Sequence, residues 1–184
     1  MKATDILMEE HRLIERVIAA LEAGAQRLED GLDVRSEFFL EASSFIGGFA
    51  DGCHHKKEEG VLFIALASAG VPVQGGPIGV MLAEHEQGRA YNRGMQAGVE
   101  KLQAGDPAGK AEIIRNARGF ALLLSQHIAK EDGVLFPMAE QVLTSEQQEQ
   151  MLVDFEKVEK EEIGAGVCAR YLPLADELEN EIST

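Results

Sequence analysis

The 184-residue chain has no tryptophan, two tyrosines and eight phenylalanines, so aromatic residues make up only 5% of it. Alternating β-branched and aromatic stretches of the kind that form strands are hard to find. Alanine, leucine, glutamate, glutamine, lysine, arginine and methionine dominate instead, and these residues favour helices. The composition therefore argues against a β-rich fold and predicts an all-α protein.

Cysteine is also scarce, with only Cys53 and Cys168 in the chain. They form no CxxC motif, which argues against zinc-ribbon and thioredoxin-like proteins, and two cysteines do not make a disulfide framework. We interpret Cys53 as a small core residue rather than a redox-active one.

The N-terminus lacks a signal peptide's apolar run, and no stretch approaches the about eighteen uncharged apolar residues that a membrane-spanning helix needs. We therefore expect a cytoplasmic protein.

Positive charge is in short supply, because 17 lysines and arginines stand against 32 acidic residues, a formal net charge of −15. Such an acidic protein repels nucleic acids and anionic membranes, so neither is expected as a partner. The sequence does not indicate the oligomeric state.

At this length we expect one domain with a substantial core. Apolar residues recur at three- and four-residue steps in four stretches, which predicts helices over about 4–29, from an Asp33 N-cap to before Gly70, over 77–103 and from Asp106 onward. Short links favour an up-down four-helix bundle over residues 1–143, with residues 144–184 as a helical extension packed on the same domain.

The extension begins with a capping-box pattern at Thr144 and Ser145, which predicts a helix to about Glu162. We expect a further helical piece over residues 163–172, ended by Pro173, and an acidic tail that frays.

The most informative feature is a repeated phrase. Residues 54–63 read HHKKEEGVLF and residues 127–136 read HIAKEDGVLF. In each copy a glutamate follows the histidine by four residues, which on a helix stacks both side chains on one face. An imidazole above a carboxylate is half of a transition-metal site. We also expect a bend at Gly60 and a kink just beyond Glu131, where Pro137 disrupts the helix.

The histidines are spread over all four predicted bundle helices, which is what a metal site in a bundle core needs. Imidazole and carboxylate ligands suit iron, manganese or zinc, and the spacing does not choose between them. Ferritin-like di-iron proteins place a glutamate three residues before a histidine, and none of the five histidines here has one. They are His11, His54, His55, His85 and His127.

At these residues the chain resembles the hemerythrin-like family, also called HHE cation-binding domains. The resemblance covers roughly residues 5–140 and rests on the His11 context, HHKKEEGVLF, EHEQGR and HIAKEDGVLFP. It implies a non-heme di-iron centre with a bridging oxygen inside a four-helix bundle. The ligands it implies are His11, His54, Glu58, His85, His127 and Glu131, with Glu58 and Glu131 as bridges.

His55 is a seventh candidate ligand, because iron-sensing relatives in ubiquitin ligases place a ligand directly after the helix-two histidine. Oxygen-carrying members have a second histidine on helix three, where this chain has Arg89. With His55 included, about eleven of about twelve positions on two six-coordinate irons are filled. One position stays open for O2, peroxide or NO. The resemblance thus implies a protein that binds such an oxidant for sensing, storage or detoxification.

Several alternatives stay open. Asp132 competes with Glu131 as the helix-four ligand, and Glu59 is a further candidate. Asp51, Glu15 and Glu84 are candidates to orient ligand imidazoles. A di-iron peroxidase or NO-reducing enzyme is the alternative function, and a histidine phosphotransfer module, which needs a solvent-facing histidine, is a third.

Overall fold

The structure is a computed structural model that describes residues 2–183, and every regular element within that range is helical. This confirms the all-α prediction. No helix in the described range is long and apolar enough to cross a membrane. The α-helices are α1 (Ala3–Glu29), α2 (Ser36–Phe45), α3 (Phe63–Ser68), α4 (Pro77–Gln103), α5 (Ala108–Lys130), α6 (Phe136–Val142), α7 (Ser145–Lys157) and α8 (Tyr171–Ser183).

Helix α2 begins at Ser36, so the prediction that Asp33 caps it was wrong. The residue before the helix is Arg35, whose guanidinium pairs with Glu41 and with Glu181 of α8. These ion pairs hold the start of α2 against the end of the chain, which the local sequence does not reveal.

Both copies of the repeat contain a π-helical turn at the same place. In the first copy, α2 continues as π-helix over Ile46–His55 and again over Glu58–Leu62 before α3. In the second, α5 passes into π-helix over Glu131–Leu135 before α6. The helix therefore changes its hydrogen-bond register where we expected a bend or kink. Pro137 lies in the first turn of α6, where its missing N–H interrupts least. Such π-turns often mark functional positions in helices.

The C-terminal extension is more ordered than predicted. The Thr144 capping box is confirmed, since its hydroxyl accepts from the backbone N–H of Gln147. Pro173, however, lies in the first turn of α8 rather than ending a helix. Because Ala175 and Leu178 of α8 are fully buried in the core, the tail is a packed helix as far as Ser183, so the fraying that its acidic sequence suggested is not found there; Thr184 lies outside the described residues.

Cys53 and Cys168 form a disulfide, with their Cα atoms 6.0 Å apart. Both side chains lie in the core, as the sequence predicted for Cys53, but the disulfide between them was not predicted. The two residues are 115 positions apart in the sequence, so only tertiary packing brings them together. The disulfide links the C-terminal segment covalently to Cys53, the residue that precedes His54.

The core consists of two hydrophobic clusters. The first contains Ile14, Phe38 and Met95, and it includes Ala175 and Leu178 of the extension. The second contains residues from the other end of the same helices and from α7; examples are Leu7, Leu62, Ile78, Leu135, Met151 and Phe155. Along each long helix the two clusters are separated by buried polar residues.

Candidate metal centre

The seven candidate ligands meet in the layer between the two hydrophobic clusters. On α1, for example, Leu7 belongs to the second cluster, Ile14 to the first, and His11 lies between them. None of the seven is more than 4% exposed. They are His11, His54, His55, Glu58, His85, His127 and Glu131.

These side chains form two groups in which one ligand atom from each residue lies within 4.8 Å of the others. One group is His55, Glu58, His85 and His127, and the other is His11, His54, Glu58 and Glu131. Glu58 belongs to both groups. A carboxylate with two oxygens can therefore face two ion positions at once, as a bridging ligand does.

Most of the inward-facing atoms lack a hydrogen-bond partner, whereas the Nε2 atoms of His85 and His127 lie 3.1 Å from each other. Among residues 2–183, the Nε2 atoms of His11, His54 and His55 and both carboxylate oxygens of Glu58 and Glu131 accept or donate no hydrogen bond. Buried polar groups are normally hydrogen-bonded, because an unpaired one costs about 1–3 kcal/mol. So many unpaired atoms pointing at one another are what a cation site requires.

The two repeat copies build equivalent halves of this centre. His54 Nε2 lies 3.3 Å from Glu58, and His127 Nε2 lies 3.1 Å from Glu131. Each glutamate also reaches a histidine on a helix outside the repeat. Glu58 lies 3.4 Å from His85 Nε2, and Glu131 lies 3.2 Å from His11 Nε2.

Every one of the five imidazoles turns its Nδ1 atom outward to a carboxylate. The Nδ1–oxygen distances are 2.6 Å for His11–Asp132, 3.0 Å for His54–Glu10, 3.4 Å for His55–Asp51, 2.7 Å for His85–Glu59 and 2.9 Å for His127–Glu84. A carboxylate at Nδ1 fixes the ring orientation and leaves Nε2 free to bind metal.

Each of these carboxylates also forms an ion pair with a lysine or arginine side chain. Arg12 pairs with Asp132, Lys57 with Glu10, and Lys130 with Glu84. Arg89 pairs with both Asp51 and Glu59. The centre is therefore enclosed by successive layers of imidazole, carboxylate and cation.

Neighbouring carboxylates raise the pKa values of two of the imidazoles, whereas burial lowers that of a third. Burial opposes protonation of His54, but Glu58 and Glu10 outweigh it and raise the pKa of His54 to about 10. Burial likewise opposes protonation of His85, yet Glu58 and Glu59 raise its pKa to about 9. Burial and the neighbouring charge of His85 lower the pKa of His55 to about 4.

His55 makes the two halves unequal. Its counterpart in the second copy is Ile128, which packs in the first hydrophobic cluster. The His55 ring instead stacks on His85, with centroids 3.7 Å apart and an interplanar angle of 11°. One group consequently offers three imidazoles and one carboxylate, and the other offers two of each.

The structure also places the competing candidates. Asp132 and Glu59 face the outer Nδ1 atoms of His11 and His85, whereas Glu131 and Glu58 point inward. Asp51 and Glu84 contact the Nδ1 atoms of His55 and His127, so they orient imidazoles rather than being only exposed surface carboxylates. Glu15 does not, because it pairs with Arg12 on the surface.

Glu10 and the layer of cations were missed. Glu10 lies beside His11 in the sequence but contacts His54 on another helix, so no local spacing indicates it. Two of the missed cations, Lys57 and Lys130, do show a local signal, because they occupy equivalent positions in the two repeat copies. That equivalence was a signal that could have been used.

All five histidines are buried, which argues against a phosphotransfer module, since such a module needs a solvent-facing histidine. The donor set of nitrogen and carboxylate oxygen, with no thiolate, fits iron, manganese or zinc. The residues present therefore suit a pair of transition-metal ions.

Comparison with known proteins agrees with this geometry. Residues 2–139 match the family described as "Hemerythrin HHE cation binding domain". Uncharacterized proteins of Mycobacterium bovis and of two Mycobacterium tuberculosis strains are each 24% identical over 162 residues. The match covers 88% of this chain and 63% of each relative, so the chain spans less than two thirds of their length. No solved structure matches the chain.

Proposed function

Because the chain belongs to the hemerythrin HHE cation-binding family, we propose that it is a non-heme di-iron protein that binds O2 or a related small oxidant. The observation that carries this proposal is the pair of four-residue groups that share Glu58. The unpaired inward-facing atoms of Glu58 and Glu131 support it, because two ions would supply the missing partners.

We assign one ion to His55, Glu58, His85 and His127, and the other to His11, His54, Glu58 and Glu131. Glu58 and Glu131 would be the bridging carboxylates, since each approaches histidines of both groups. When bound, two irons supply a redox-active pair to which O2, peroxide or NO can attach. Manganese or zinc suits the same donor set.

The chain's own residues orient the ligands and exclude water. The outer carboxylates fix each imidazole so that Nε2 faces the centre. The two hydrophobic clusters close the layer from both ends. This enclosed setting suits a small diatomic or peroxide ligand, and it supports binding for sensing, storage or detoxification.

We propose that the helices form an up-down four-helix bundle and that residues 144–184 belong to the same domain. The contribution of the extension to both hydrophobic clusters supports this. We also propose a cytoplasmic location.

The test is metal analysis combined with optical spectroscopy. Protein loaded anaerobically with Fe(II) should retain about two irons per chain after desalting. Adding O2 or NO should produce an absorption band that disappears when the gas is removed.

A Glu58→Gln, Glu131→Gln double variant is the control and should retain neither the metal pair nor the band. Wild-type protein that stays metal-free, or that binds a single zinc after iron loading, would overturn the proposal. Repeated turnover of peroxide or NO would replace a binding role with an enzymatic one.

A further inference from the structure

Arg89 is the cation that contacts two of the outer carboxylates. It lies on α4, one turn after His85. Its Nε donates to Asp51 Oδ1 at 2.8 Å, and its Nη2 donates to Glu59 Oε1, also at 2.8 Å. A third contact runs from Nη1 to the exposed Glu86 at 2.6 Å. One guanidinium therefore fixes two carboxylates that come from different turns of the preceding helix.

These two carboxylates hold two imidazoles of the same group. Asp51 Oδ1 faces His55 Nδ1, and Glu59 Oε1 faces His85 Nδ1. The rings of His55 and His85 are stacked, so a movement of either ring disturbs the other. Both belong to the group with three imidazoles.

The other cations act on one imidazole each. Arg12, Lys57 and Lys130 stand behind Asp132, Glu10 and Glu84, which face His11, His54 and His127. Arg12 is the nearest equivalent of Arg89, because Asp132 and Glu59 occupy the same place in the two repeat copies. The side chain of Arg12 is 56% exposed, whereas that of Arg89 is 25% exposed.

We propose that Arg89 is a positioning residue for the metal ion held by His55, Glu58, His85 and His127, an inference that rests on the proposed function. Without its charge, Asp51 and Glu59 lose the group that draws them together, and each is free to swing toward solvent. His55 and His85 then lose the partners that fix their ring orientation.

The shape of the guanidinium is essential to this role. Its planar fork presents several N–H donors in fixed directions, so it can hold two carboxylates at once. A lysine ammonium is a compact point charge on a flexible chain and lacks that fixed geometry. Arg89→Lys keeps the charge and removes the fork, which makes it a matched variant.

Arg89 also lines an open cavity of about 450 Å³, together with Asp51, Lys56, Glu59 and Glu162. A small cation from solvent can therefore reach the place of the guanidinium when the side chain is shortened. Methylguanidinium should thus restore the function of Arg89→Ala.

The experiment measures zinc affinity by competition with a chromophoric chelator in the full chain. In Arg89→Ala one of the two zinc equivalents should bind about 10- to 100-fold more weakly, while the other stays unchanged. Millimolar methylguanidinium should recover most of that loss. Arg89→Lys should remain weak, and Arg118→Ala, which removes an ion pair with Glu29 outside the centre, should leave both equivalents unchanged.

A second readout is the ¹⁵N-histidine NMR spectrum of the zinc form. The Nδ1–H signals of His55 and His85 should shift in Arg89→Ala, and that of His11 should not. Equal weakening of both equivalents, unchanged affinity, or a loss that methylguanidinium does not restore would overturn the positioning role. Wild-type protein that fails to bind two zinc ions would instead count against the binuclear centre itself.

Discussion

The ring of Phe136 lies parallel to the imidazole of His11, with centroids 5.4 Å apart and an interplanar angle of 11°. The equivalent residue of the first copy, Phe63, stacks on His85 at 5.8 Å and 22°. Each copy of the repeat thus ends in a phenylalanine that supports a histidine from a helix outside the repeat. This explains why the phrase extends past its histidine and glutamate.

Phe136→Ala should lower the free energy of unfolding by about 3–5 kcal/mol, because the side chain is 1% exposed and leaves a cavity. It should also weaken metal binding, because His11 loses the ring that packs against it. Denaturant unfolding and metal titration measure the two effects. Phe38→Ala is the control, since Phe38 is equally buried but lies in the first cluster. Similar loss of metal affinity in both variants would contradict a specific role for Phe136.

Glu58→Gln should reduce metal binding from two ions per chain to at most one. The reason is that Glu58 belongs to both four-residue groups, and an amide is a poorer metal ligand than a carboxylate. Elemental analysis after desalting measures the stoichiometry. Glu22→Gln, at an exposed position of α1, should retain both ions. Two ions in Glu58→Gln would show that Glu58 does not bridge.

The metal-free protein should become less stable as the pH rises from 7 toward 10. The pKa of His54 is raised to about 10 and that of His85 to about 9, above the ordinary value near 6.5. Groups with raised pKa values stabilise the fold fully below the unfolded value, and this contribution is lost as the pH passes the folded value.

Denaturant unfolding at several pH values, with chelator present, measures this slope. His54→Gln should flatten it, because the protonated imidazole between Glu58 and Glu10 is gone. A stability that increases over the same range would contradict the raised pKa values.

Reduction of the Cys53–Cys168 disulfide should lower the free energy of unfolding by about 2–5 kcal/mol. The bond closes a loop of 115 residues, and loops of that length gain most from a crosslink. Unfolding with and without a thiol reductant measures the difference. A Cys53→Ala, Cys168→Ala double variant should be insensitive to the reductant, and insensitivity of the wild type would argue against the bond.

The helical periodicity predicted the helical fold, and the repeat predicted that His54, Glu58, His127 and Glu131 contribute to one site. His11 and His85 could be named because the family pattern places them, although neither lies in the repeat. The carboxylates that contact the Nδ1 atoms, and the cations that pair with them, could not be predicted in the same way. Glu10 and Lys57 act across helices, and their partners depend on helix rotation, which the apolar stripe defines only coarsely.

Other features depended on tertiary contacts as well. Arg35, the residue before α2, pairs with Glu181 of α8, and Leu178 of α8 packs in the core. The glycines of the repeat remain without a structural reason, because a Cβ at Gly60 or Gly133 would meet nothing within 4 Å.

The disulfide has a topological consequence for the centre. Residues 53–168 form a covalently closed ring, and six of the seven candidate ligands lie within it, from His54 to Glu131. His11 is the exception, because α1 precedes the ring. A single backbone cut between α1 and α2 would therefore leave those six on one cyclic fragment and turn α1 into a separable peptide. The centre could then be taken apart and reassembled by removing and returning one helix.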